Sequence, residues 1–461
     1  MDGTSRLRPY RRELAAAAEI IQTRGVPGTA VGTVSHMSSY RQPGLVLTDR
    51  TFTVPLDHRA PAGEQLEVFA REVVASDKAT ADLPWLVYLQ GGPGQAADRP
   101  VGRSGWLDRA LREYRVLLLD QRGTGRSTAA SRQTLAALGT AAAQAEYLAH
   151  FRADAIVADA ELIRGQVTGG RPWSVLGQSF GGFATVTYLS QAPGGIREAL
   201  VAGGLPGLHA TADDVYRLTY PAVAAKNRAH YERYPADVER ARRVAAALAQ
   251  APARLPGGTL LTVAAFQSLG MMLGGSRGSH LLHYLLEDPF AGAELSDSFA
   301  HQAESMLSFA TAPLYALLHE ACYAQGAPTR WSAQRVRAEF PEFDAAKALE
   351  AGDPVLFTGE MIYPWLYDTD PALAPLAGAA QILAERDWPP LYDAARLAAS
   401  TVPAAAVIYF NDMYVPALLS LGTAAAIGGL APWVTSEFEH DGLRVSDRVL
   451  DRLISLARGE A

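Results

Sequence analysis

The stretch GQSFGG, residues 177–182, sets Ser179 among glycines, directly after the apolar run 173–176 and before FATVTYLS, a segment of helical character. A serine in that place can act as a nucleophile. A strand that turns sharply into a helix holds the side chain at a strained apex, and the helix N-terminus offers unpaired N–H groups to a developing oxyanion. The flanking glycines fit because side chains there would collide with neighbouring backbone. The pentapeptide alone is a weak signal in a chain with 41 glycines. The strand before it and the helix after it carry the reading.

Such a serine needs a base and a group to orient that base. On this strand–turn–helix elbow the chain order is serine, acid, histidine. Of ten histidines, His440 stands after an apparent terminal strand and before the last helix, in EFEHDGLR. His36, His58, His150, His209 and His230 have no strand end beside them, and His280, His283, His301 and His319 fall in a helical region. Asp412 ends the run AAAVIYF, and a carboxylate at the C-terminal edge of a parallel strand faces the same rim as Ser179. There it could hold His440 in the right tautomer and stabilise the imidazolium. Asp441 adjoins the histidine and is poorly placed to orient it, and Asp393 lacks a strand before it. QGGPG (90–94) follows another strand. Its Gly91 and Gly92 can bring backbone N–H groups to the elbow, beside the N–H of Phe180. The loop lacks the lysine and the spacing of a phosphate-binding loop. In DQRGTGRS (120–127), Asp120 and Arg122 are expected to pair and fix loops around the site.

These residues require a sheet to hold them. PWLVYLQ (84–90), YRVLLLD (114–120), WSVLG (173–177) and REALVAGGLPG (197–207) read as buried strands, with helical crossovers such as AEYLAHFRADAIVADAELIRGQV between them. That pattern implies a parallel sheet with helices on its faces. LVLTDRTFTVPLD and QLEVFAREVV, within 45–78, read as a hairpin or meander. From about 208 to 400 the chain is mostly helical; AAAVIYFND (404–412) then restores the buried-strand pattern, with one more strand in APWVTSEFEHDG and a closing helix. The expected organisation is an α/β core in two parts, 45–207 and 401–461, interrupted by a helical cap at 208–400 and preceded by an extension at 1–44. The extension reads as a short amphipathic helix rather than an export signal, because Glu13 and Glu19 interrupt its alanines. Met37 sits just before strand-like sequence, so an accessory arm and a start upstream of the native one both stay open.

Composition bounds the rest. The chain of 461 residues is 49% hydrophobic and 19% charged with a net charge of −7, a soluble globular balance without a basic concentration for nucleic acid. The single cysteine, Cys322, excludes an intrachain disulfide and a zinc site built from several thiolates. No apolar run is long enough to suggest a membrane span. A cytoplasmic protein with neither nucleic-acid nor membrane partners is expected.

Together these stretches resemble the prolyl aminopeptidases, or proline iminopeptidases, of the α/β-hydrolase superfamily, in their longer bacterial form. The likeness covers about residues 45–461. It rests on FTVPLDH (52–58), GGPG (91–94), DQRGTGRS (120–127), GQSFGG (177–182), LLHEACY (317–323), FTGEMIYPWLY (357–367), YFNDMYVP (409–416) and EHDGLR (439–444). It implies an α/β-hydrolase fold, a mostly parallel central sheet with a large helical cap inserted between core strands. It implies Ser179, Asp412 and His440 as a triad, an oxyanion hole from Phe180 and Gly91 or Gly92, and no metal or organic cofactor. The family's cap carries carboxylates that bind the substrate's free N-terminus, which implies Glu320 first and Glu360 second. The implied substrates are short peptides with a free N-terminal proline, cleaved through a prolyl-enzyme. The physics agrees: a terminal proline brings a secondary ammonium to pair with buried anions, whereas an endopeptide leaves them unpaired. One departure is Gln90, where the family's loop reads HGGPG; backbone donation survives that change, but local hydrogen bonding differs. Cys322 either lines the proline pocket or packs in the cap. A broader aminopeptidase or esterase on the same scaffold, and a non-catalytic binding protein of this fold, are the rival readings.

Overall fold

The computed structural model of the protein describes residues 34–460. The helix expected near the start of the chain lies outside them. Nine strands form one sheet: β1 (Val34–Gln42), β2 (Leu45–Pro55), β3 (Gln65–Ala75), β4 (Trp85–Leu89), β5 (Arg115–Leu119), β6 (Trp173–Gln178), β7 (Ile196–Ala202), β8 (Ala404–Tyr409) and β9 (Leu430–Thr435). Their order is β1-β2-β3-β5-β4-β6-β7-β8-β9. From β5 to β9 every pairing is parallel, while β1, β2 and β3 are antiparallel, with β3 joined to β5. This is an α/β-hydrolase sheet, and the chain between β7 and β8 forms the large helical insertion expected.

Burial explains the strand sequences. β6 and β8 are buried at every residue, because helices cover both faces of a parallel sheet, so apolar runs replace alternation. β9 is the edge and only partly buried; there Pro432, which cannot donate to a ladder, is tolerated. The sheet also begins earlier than an extension at 1–44 would allow. β1 pairs antiparallel with β2, Tyr40 opposite Leu47. Residues 37–41 are exposed, so backbone pairing rather than side-chain burial holds this strand, and VSHMSSYRQ carries no apolar alternation to announce it.

Helices α1 (Ala153–Thr168) and α2 (Phe180–Gln191) cover one face, where Ile156, Ile163 and Val186 pack with Val87 and Val175. That core continues into the cap, which includes α3 (Ala212–Arg233), α4 (Ala236–Gln250), α5 (Pro313–Leu318) and α6 (Ser332–Arg337). α3 starts at a capping box in which Thr211 Oγ1 accepts from Asp214 N (3.2 Å) and Asp214 Oδ2 accepts from Thr211 N (2.9 Å). After β8 come α7 (Ala417–Ala426) and α8 (Asp447–Arg458). α8 buries Val449, Leu450, Leu453 and Ile454 against the other sheet face with Trp106 and Leu111. No described helix is long and apolar enough to cross a membrane.

Candidate active site

Ser179 sits between the last residue of β6 and the first of α2, with φ 56° and ψ −125°. A non-glycine residue at positive φ is strained, and only Arg330 and Trp331 share the feature among the described residues. The turn can be this tight because Gly181 has no side chain: a Cβ there would stand 1.9 Å from Leu89 O on the neighbouring strand. Phe180 opens the helix, so its N–H has no intrahelical acceptor. Gly91 lies directly against the serine, where an added Cβ would be 3.0 Å from Ser179 Cβ. Elbow and QGGPG loop therefore meet, with backbone N–H groups available from both. Gln90 turns inward: its Oε1 accepts from Tyr88 OH (2.7 Å) and its carbonyl from Gln121 Nε2 (3.0 Å). The histidine-to-glutamine departure is absorbed beneath the loop.

Asp412 follows β8 in a tight turn, where its Oδ1 accepts from Tyr414 N (2.8 Å) and Val415 N (3.1 Å). Its Oδ2 stands 2.6 Å from His440 Nδ1, and both residues are buried. Nδ1 is thereby committed to the carboxylate, which leaves Nε2 as the free ring nitrogen. Burial works against a charged imidazole, but the charge and hydrogen bond of Asp412, with Glu360 beyond, outweigh it and raise the His440 pKa. The 202–204 bend touches both Ser179 and His440. Ser179 N donates to Ala202 O (3.0 Å), and a Cβ on Gly203 would lie 3.4 Å from His440 Nδ1. The alternative acids are engaged elsewhere: Asp441 binds Ser276 in the cap, and Asp393 caps the helix Ala394–Ala398.

The two cap glutamates occupy different surroundings. Glu320 is buried, and its carboxylate accepts from Ser332 N (3.0 Å) and Ala333 N (2.8 Å) at the start of α6. The residues leading into that helix are the left-handed pair Arg330 and Trp331. Burial raises its carboxyl to about 7 despite these N–H donors, the Thr329 hydroxyl and the charge of Arg335. Glu360 accepts from the Tyr315 hydroxyl and lies within electrostatic reach of His440 and Asp412. Burial raises it to about 7 as well, helped by Asp412 and opposed by Tyr315 and His440. Glu360 is thus the carboxyl that shares the field of the His440–Asp412 pair. Cys322 is buried in the cap, its thiol pushed well above the ordinary value by burial and by Glu360.

Asp120 and Arg122 do not pair with each other. Asp120 takes Arg99 and the N–H groups of Ala97 and Arg126, whereas Arg122 pairs with Asp159. Two residues apart just after β5, they leave in different directions and meet different helices and loops. Tyr315 and Tyr414 belong to the site without having been singled out from the sequence. Tyr315 stacks on His319 (5.2 Å between centroids), His319 meets Tyr323 edge-on (5.3 Å), and Tyr414 stands edge-on to His440 (4.9 Å). The spacing of Tyr315, His319 and Tyr323, four residues each, was the available signal for one aromatic face.

A family model described as alpha/beta hydrolase fold matches residues 84–293. A proline iminopeptidase of Aeromonas sobria is 48% identical over 418 residues, covering 90% of this chain and 97% of the relative. The proline iminopeptidase aneH of Aspergillus aculeatus is 33% identical over 443 residues, covering 91% of this chain and 95% of the relative. Among solved structures, a proline iminopeptidase-related protein from Thermus thermophilus aligns with a TM-score of 0.39 at 15% identity, covering 89% of this chain and 98% of that one. With 48% identity over 90% of its length to one proline iminopeptidase and 33% over 91% to another, this protein belongs to the proline iminopeptidase family of the α/β hydrolases.

Proposed function

We propose that this chain is a serine exopeptidase that releases N-terminal proline from short peptides. The observation that carries the reading is Glu360: an ionisable carboxyl of the cap, half-buried, within electrostatic reach of His440 and Asp412 and held by the Tyr315 hydroxyl. A carboxylate there selects a substrate that carries a positive charge next to its scissile carbonyl, as a free N-terminus does. The names of the two relatives support proline as the residue released.

In this reading His440 takes the proton from Ser179 as the serine attacks the first carbonyl. Asp412 holds the imidazole by Nδ1 and stabilises its charged form. The oxyanion meets the N–H of Phe180 and that of Gly91 or Gly92. His440 then protonates the departing peptide nitrogen, and water cleaves the prolyl-enzyme. Glu360 receives the ammonium and Glu320 supplies a second negative charge, so the carbonyl is delivered to Ser179 in one orientation. Labour divides along the chain: the core segments 45–207 and 401–461 carry acyl transfer, and the cap, 208–400, carries amine recognition.

One panel tests this: Pro-, Ala- and Leu-arylamides, N-blocked Pro-arylamide and a short acyl ester, each with wild type, S179A and E360Q. Pro-arylamide is expected to be preferred, N-blocking to remove turnover, S179A to be inactive and E360Q to raise KM. Equal turnover of blocked and free substrates would exclude an exopeptidase. Efficient ester hydrolysis with no turnover of any arylamide would make the protein an esterase.

A further inference from the structure

The cap grips the His440 loop at three consecutive residues. Glu439 pairs with Lys226 Nζ on α3, a lysine whose side chain is only 15% exposed. His440 N donates to Gly274 O (3.1 Å). Both carboxylate oxygens of Asp441 accept from Ser276 N (3.1 Å each), and Oδ2 also accepts from Ser276 Oγ (2.8 Å). The acid loop is tied to the same cap segment, since Tyr414 donates its hydroxyl to Met271 O and its ring lies against Gly274. Residues 271–276 therefore bridge the loop of the acid and the loop of the histidine. Of the two hydrogen bonds His440 makes, one goes to the core at Asp412 and the other to the cap at Gly274.

We propose that Asp441 and Lys226 are positioning residues for the reaction at Ser179. They fasten the His440 loop to the cap, so the imidazole is aligned only while the cap is seated. The sequence argument against Asp441 as the triad acid and its engagement with Ser276 then fit together: its carboxylate is spent on Ser276, holding the loop that carries the imidazole. Cap and core form one catalytic unit through this clasp, rather than a lid resting on a finished site. Lys226, Ser276, Asp412 and Glu439 line one cavity at the seam, so water reaches the clasp and can replace its bonds when the cap lifts.

The inference rests on His440 being the general base, and its test separates the two ideas. A fluorophosphonate labels Ser179 only when His440 activates it, and it makes no use of an amine-binding carboxylate. Labelling rates and Pro-arylamide kinetics are measured for wild type, S179A, D441A, K226M and K226R, with folding checked by thermal unfolding. D441N, close in shape, replaces D441A if that variant does not fold. Since small displacements of catalytic groups cost one to two decades in rate, D441A and K226M are expected to lower both the labelling rate and kcat by about tenfold, with KM within roughly twofold. K226R is expected to recover most of the loss seen in K226M. Wild-type labelling rates in both D441A and K226M would overturn the clasp. Failure of wild type itself to label would overturn the catalytic reading beneath it.

Discussion

Tyr315 touches the carboxylate of the cap and the glycine loop of the core at once. Its hydroxyl donates to Glu360, and its backbone nitrogen would lie 2.8 Å from a Cβ built on Gly94. Removing that hydroxyl takes away the side-chain hydrogen bond that holds Glu360 and opposes its raised pKa. Hydrogen bonds to charged groups contribute roughly 1.5–3 kcal/mol, part of which water can recover, so Y315F is expected to raise KM for Pro-arylamide by about 5- to 20-fold at pH 8. The value of kcat should change much less, because the acyl-transfer groups stay in place. Steady-state kinetics check this, and an unchanged KM would remove Tyr315 from substrate recognition.

Gly94 tests the same junction from the core side. It has φ +85°, and an added Cβ would stand 2.7 Å from Leu314 Cβ at the start of α5. Left-handed strain of roughly 1–2 kcal/mol and overpacking of roughly 1–3 kcal/mol add, so G94A is expected to destabilise the protein by about 2–5 kcal/mol. Relief of the clash requires α5 to move, and Tyr315 moves with it, so KM should rise in the protein that remains folded. Denaturant unfolding and kinetics on one preparation measure both effects. Wild-type values for both would mean the cap does not rest on this loop.

The positions of Ser179 and Asp412 in the fold are legible because each ends a buried parallel strand, and such strands write themselves as apolar runs such as SVLG and AAAVIYF. β1 is not legible, since an exposed edge strand held by backbone bonds leaves no hydrophobic period. Asp120 and Arg122 mislead for a different reason. Opposite charges two residues apart suggest a pair, yet the partner of Arg122 lies 37 positions away on α1. The clasp is invisible in sequence for the same reason: Asp441 and Ser276 are 165 positions apart, and only the folded cap brings them together.

Arg122 and Asp159 make a second stability test. Both side chains are almost wholly buried; Arg122 Nε and Nη2 lie 2.7 and 2.5 Å from the carboxylate, and the same guanidinium serves the carbonyls of Pro55, Leu56 and His150. His58 Nε2 stands 2.8 Å from the same aspartate. Taking the charge from one partner leaves the other buried and uncompensated, which costs roughly 3–5 kcal/mol, so D159N is expected to lower stability by about that much. The double variant R122M/D159N should recover part of the loss, since no unpaired charge remains inside. A D159N protein as stable as wild type in urea unfolding would show that the buried Arg122 guanidinium needs no carboxylate partner.

The glutamate under the cap should make stability and activity respond to pH in opposite directions. Glu360 has a folded pKa of about 7 against an ordinary 4.5, so the folded protein holds this proton more tightly than the unfolded chain does. Its contribution to stability is therefore fully present below pH 4.5 and is lost as pH rises from there through 7. The two values differ by an amount worth on the order of 3 kcal/mol, so wild type should lose up to about that much between pH 4.5 and 8 through Glu360. E360Q cannot ionise and is expected to escape that loss, with an unfolding midpoint above that of wild type at pH 8 and close to it at pH 5. In the proposed function catalysis needs the ionised form that costs stability, because only a carboxylate would pair with the substrate ammonium. KM of wild type for Pro-arylamide should fall as pH rises through about 7, the value given by Glu360 before substrate binds. In E360Q that fall should shrink to whatever Glu320 contributes, while the dependence of kcat on His440 remains. Unfolding midpoints and KM, each taken at pH 5, 7 and 8 for both proteins, decide the matter. A pH dependence of stability identical in wild type and E360Q would mean that Glu360 ionises as freely as a surface carboxyl, and the anion proposed to choose the substrate would lose its basis.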